Sequence, residues 1–161
     1  MTATATIQEI YCVRHATGTD AGANQALGDL ASVVTESQLG SEPLSSFVRR
    51  FPGVVAAMDS ARSDPDNLYI TMDTSGDLDQ SVWPPGHSTV DMQADQSRAP
   101  GLSVPVSHSQ NISLWDHDGV SSDDLLGSIT IREDERGVGQ IAKLAKSDVE
   151  SSCYYVTYRV D

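Results

Sequence analysis

Apolar and polar residues alternate with period two along most of this chain and switch to a helical period in one stretch near its start. Residues 6–14, TIQEIYCVR, are rich in β-formers and predict a first strand. Strand text returns at 67–72 (NLYITM), around Val82 and Trp83 ahead of a Pro-Pro-Gly turn, and at 102–106 (LSVPV), where Pro105 suits a sheet edge. It continues at 111–115 (NISLW) and 127–132 (GSITIR). Over 153–160, Tyr154, Val156, Tyr158 and Val160 face one way, and Tyr155, Thr157 and Arg159 the other. Between the first two strands, Leu27, Leu30, Ala31 and Val34 recur at helical spacing, with Asn24 as the expected N-cap. A second helix is predicted from Pro43, behind Ser41, with Leu44, Phe47, Val48 and Phe51 on one face. Pro52 and Gly53 are expected to stop it, and 54–62 to form a short third helix.

Short strands joined by polar turns predict a mainly β chain. The expected architecture is an antiparallel β-sandwich over residues 1–161, one domain, with a helical insertion at about 22–62 between the first two strands. A chain of 161 residues is long enough to bury a core without disulfide or metal staples.

Charge changes the picture next. There are 23 acidic and 10 basic residues, a formal net charge of −13. That balance excludes a nucleic-acid partner, which needs clustered Lys and Arg to displace counterions, and disfavours constitutive docking on anionic lipid. The N-terminus carries no basic segment followed by an apolar one, so a cytoplasmic location is expected. Cys12 and Cys153 fall in strand-like text near opposite ends of the chain. They read as two buried thiols, with a disulfide between neighbouring strands as the alternative.

The acids are lopsided, 17 Asp against 6 Glu, and some of the Asp gather in WDHDGVSSDDLLGSITI, residues 115–131. Asp116 and Asp118 fall on one side of the extended chain as it leaves a strand, and the Gly-Val-Ser-Ser turn returns Asp124 toward them. Three like charges held together repel unless a cation sits among them. Ca²⁺ suits such a place: it takes six to eight hard oxygen ligands in flexible geometry, whereas Mg²⁺ demands a small rigid octahedron. Asp123 is an alternate ligand. The bland counter-reading is that surface loops collect Asp for turns and solubility.

Residues 111–131, NISLWDHDGVSSDDLLGSITI, resemble the strand, third calcium loop and following strand of C2 domains, β-sandwich modules that bind calcium and often phospholipid. The resemblance implies that Asp116, Asp118 and Asp124 are Ca²⁺ ligands, and that Leu125, Leu126 and Gly127 restart the sheet. More weakly, residues 6–20 resemble the first strand running into the first calcium loop, and Ser63-Asp64-Pro65 resembles the family's Ser-Asp-Pro. By that similarity Asp20, with Asp64 or Asp66, completes the site. The helix-like stretch between Asp20 and Asp64 departs from the family pattern. The resemblance further implies a Ca²⁺-dependent partner, a phospholipid membrane or another protein. The third loop tip offers only Val120 as an apolar contact, so the membrane is the weaker inference.

One catalytic reading competes. Val13-Arg14-His15-Ala16 follows a strand and resembles the phosphate-binding Arg-His of histidine phosphatases, with His108 standing in for a second histidine. The strand-rich C-terminal third and the acidic surface oppose it. The expectation is a non-enzymatic calcium-binding module, with a metal-free structural or interaction sandwich as the alternative.

Overall fold

The structure, a computed structural model, describes residues 2–16, 20–33, 51–59, 65–119 and 122–161. Among the described residues, nine strands form two antiparallel sheets. The first holds β1 (Ala3–Arg14), β4 (Ser97–Arg98), β5 (Leu102–Val106), β8 (Gln140–Ser147) and β9 (Ser152–Val160) in the order β4-β1-β9-β8, with β5 also on β1. The second holds β2 (Asp66–Thr71), β3 (Val90–Met92), β6 (Ser109–Asp116) and β7 (Asp124–Arg132) in the order β3-β2-β6-β7. This is the expected sandwich, with α1 (Ala21–Val33) and α2 (Pro52–Asp59) between β1 and β2.

Period-two text explains most of the core. Tyr154, Val156, Tyr158 and Val160 all point between the sheets, against Leu68, Ile70, Ile112, Leu114 and Ile131. In β1, Ile7 and Ile10 both face this core although they are three residues apart. An extra residue accounts for it: Ile7 pairs with Tyr158 while Glu9 pairs with Thr157, so the register slips by one at Gln8.

The outer face of the first sheet is apolar at one end, which is why the helices lie there. Tyr11, Val13, Cys153 and Tyr155 pack against Leu27 and Leu30 of α1 and Val54 and Met58 of α2. Burying each such leucine contributes about 1.5–3 kcal/mol. Asp20, not Asn24, caps α1: its Oδ1 accepts from Ala23 N at 3.0 Å, and its carbonyl accepts from Asn24 N at 2.9 Å. Asn24 instead ties the helix to the β8–β9 turn, Nδ2 donating to the Asp148 carbonyl at 2.8 Å. Pro52 opens a helix where a stop was expected. At the first helical position its missing N–H is one that no helical carbonyl would have received. The helix predicted from Pro43 lies outside the described residues.

Two buried clusters join these layers. Arg14, 1% exposed, sends Nε to the Ala57 carbonyl at 2.9 Å and Nη1 to the Ser151 carbonyl at 2.7 Å, tying α2 and the β8–β9 turn to β1. Glu135 takes Lys143 Nζ at 2.8 Å and the Tyr158 hydroxyl, closing the opposite end of the sandwich.

Candidate functional site

Three strand ends converge where the aspartates lie. Asp116 ends β6, Asp124 begins β7, and the two are direct antiparallel partners. Asp66 begins β2, two residues ahead of Leu68, the partner of Asp116. The ladder runs one step past the strands: Asn67 N donates to Asp116 Oδ1 at 2.8 Å, and His117 N donates to the Asn67 carbonyl at 2.9 Å. One carboxylate oxygen of Asp116 is thus held against β2 by the backbone.

The carboxyl groups here act on one another. Burial raises the Asp116 pKa above the ordinary value, the Asn67 N–H lowers it, and the charges of Asp124, Asp118 and Asp123 raise it further. Glu150, in the turn between β8 and β9, is raised by burial and then by Asp124 and Asp116. Sequence reasoning missed Glu150. It belongs to a turn whose first flanking strand, β8, was not read from the sequence.

Asp66 is only 1% exposed and sits deeper. Ala16 N donates to both its oxygens, at 3.0 and 3.1 Å, and the Tyr154 hydroxyl donates to Oδ2 at 2.5 Å. Burial pushes its pKa up to about 7, against the pull of those donors and with help from Asp116 and Glu150.

Asp123 behaves differently from its neighbours. Burial would raise it, but the Tyr69 hydroxyl, the Asp118 N–H and His117 outweigh that and hold its pKa below the ordinary value. The distances are 2.5 Å from Tyr69 Oη, 2.8 Å from Asp118 N and 3.1 Å from His117 Nδ1 to each oxygen.

Of the residues predicted from sequence, then, Asp116, Asp118, Asp124 and Asp66 share one end of the sandwich. Asp20 serves α1 as a cap and lies 3.5 Å from Arg14 Nη2. Asp64 and Val120 lie outside the described residues. The donor chemistry, hard carboxylate oxygen, fits Ca²⁺. Among the described residues, no three His, Cys, Asp or Glu side chains are already gathered as a cation shell.

Arg14 and His15 are both buried and bonded inside the fold, His15 Nδ1 accepting from Ala94 N at 3.1 Å. His108 sits just before the start of β6, while His15 follows β1 near Asp66 and the far end of β6. Roughly 25 Å of strand separates those ends, so the two histidines share no site.

No protein-family model matches the chain, and no curated protein matches it. Solved structures similar to it include human GIVD cytosolic phospholipase A2 (11% identity, TM-score 0.42) and the same enzyme in complex with methyl gamma-linolenyl fluorophosphonate (11%, 0.41). Each match covers 99% of this chain but only 16% of the phospholipase chain, so this chain spans about a sixth of that enzyme's length.

Proposed function

We propose that this chain is a C2-like module that binds Ca²⁺ at the converging ends of β2, β6 and β7, with Asp116, Asp118 and Asp124 as ligands. The observation that carries this reading is the convergence of like-charged carboxylates at those ends. Asp116 has Asp124 as its strand partner, and Asp118, Asp123 and Glu150 interact with the pair as further like charges. A divalent cation supplies the opposite charge, and carboxylates of this exposure are hard donors of the kind it takes. Asp66 is a second-rank ligand, since both its oxygens already accept internal hydrogen bonds. With the ion bound, the rim would face a lipid surface or a protein.

A second reading keeps the sandwich as a metal-free structural or interaction module. Its support is that Asp20, Asp66 and Asp123 all serve internal hydrogen bonds.

Thermal melting separates the two. If Ca²⁺ binds, millimolar CaCl₂ raises Tm by roughly 5–10 °C and EDTA reverses it. The gain is lost in Asp116→Asn/Asp118→Asn. Melting curves that coincide with and without Ca²⁺ sink the calcium reading and leave the metal-free module. Co-sedimentation with phosphatidylserine vesicles, with and without Ca²⁺, then decides between lipid and protein as the partner.

A further inference from the structure

Asp123 stands out in the acidic cluster because its carboxylate is already fully engaged. Its side chain is 9% exposed. Donors reach it from two directions: Tyr69 in the middle of β2, and His117 and Asp118 on the limb leaving β6. Asp123 itself lies on the limb entering β7, one residue before Asp124. One half-buried carboxylate thus braces both limbs of the loop to each other and to β2. The Tyr69 ring also meets His117 edge-on, with centroids 6.2 Å apart.

The geometry points to Asp123 as a positioning residue for the calcium site, one that ties the backbone at Asp118 to the limb carrying Asp124 and does not itself bind the ion. This rests on the calcium reading above. The physical basis is direct: Asp118 and Asp116 repel as like charges, and the backbone N–H of Asp118 is the group that Asp123 grips at 2.8 Å. A limb fixed in advance spares the ion the cost of ordering it, which strengthens binding without a further ligand.

Asparagine and alanine at position 123 separate positioning from ligation. Asp123→Asn keeps an acceptor oxygen for the Asp118 N–H but removes the charge, whereas Asp123→Ala removes both. Calorimetric titration of the full chain with CaCl₂ should give Asp123→Ala about tenfold to a hundredfold weaker binding, with Asp123→Asn losing only about threefold. In EDTA, the Asp118 amide should exchange slowly in the parent and in Asp123→Asn, and quickly in Asp123→Ala. Tyr69→Phe removes a single hydroxyl donor and provides a milder variant should Asp123→Ala fail to fold; it should weaken binding by a few-fold.

If Asp123→Asn binds as poorly as Asp123→Ala while Asp118 stays protected in both, Asp123 is a ligand and the proposal is overturned. If the parent takes up no Ca²⁺, the calcium reading falls by itself. The exchange arm still decides the brace: protection lost in Asp123→Ala supports it, and unchanged protection overturns it.

Discussion

Cys12 and Cys153 lie on adjacent strands and yet belong to opposite faces of one sheet. Cys12 pairs with Tyr154 and points into the core between the sheets, while Cys153, the neighbour of Tyr154, points at the helices. Both are free thiols. The sequence left a disulfide open because alternation alone does not supply the register between the first and last strands. Burial pushes the Cys153 pKa up to about 12 and that of Cys12 well above its ordinary value. The folded chain therefore keeps both protons over a range where the unfolded chain loses them. The stability they contribute is complete below the unfolded thiol pKa and falls as pH rises toward about 12. Iodoacetamide at pH about 8 should leave both unmodified in the native protein and alkylate both after urea unfolding; rapid native labelling would contradict the burial. Other residue-level roles were illegible for the same reason. Asp66 reads as a surface ligand until Tyr154, 88 positions away, is placed against it.

Elements with a clear period were the legible ones: β5 matches its expected residues, and β2, β6, β7 and β9 match within a few. β8, QIAKLAKS, escaped because its inward positions are Ile141 and Ala145 while two lysines interrupt the pattern. Lys143 turns back to Glu135 and the Thr130 carbonyl, a use that no local rule anticipates. The Leu-Leu-Gly at the start of β7 has a firmer physical basis. Gly127 has φ +147, and a Cβ built there would lie 2.3 Å from Lys146 N and 2.4 Å from the Ala145 carbonyl carbon. The backbones of β7 and β8, in different sheets, touch at this point, and Ser152 Oγ donates to the Leu126 carbonyl at 2.9 Å beside it. Gly127→Ala should therefore cost about 3 kcal/mol, or roughly 10 °C in Tm, by prising this corner open. Gly119→Ala, with nothing within 4 Å of the added carbon, is the matched control. Equal urea midpoints for the two variants would show that the corner yields freely.

At the scale of the whole molecule the net charge of −13 acquires a location. Part of it is concentrated at one end of the sandwich, where Asp66, Asp116 and Glu150 are all raised by burial and by the charges of neighbouring carboxylates, Asp124 among those acting on Asp116 and Glu150. Any salt relieves such repulsion by screening, with a Debye length of about 8 Å at 0.15 M, and that relief grows smoothly with concentration whatever the cation. A site relieves it differently, by saturating at the dissociation constant of one ion. The two signatures separate at constant ionic strength. In EDTA, raising NaCl should lift Tm gradually, because the chain repels itself. At fixed ionic strength, exchanging NaCl for CaCl₂ should lift it further and then level off, while MgCl₂ gives a smaller gain because Mg²⁺ holds its waters and resists an irregular carboxylate loop. Equal curves for Ca²⁺, Mg²⁺ and ionic-strength-matched NaCl would mean that the acidic end is only a charged surface. A plateau specific to Ca²⁺ would mean that three strand ends have turned an excess of negative charge into a selective site.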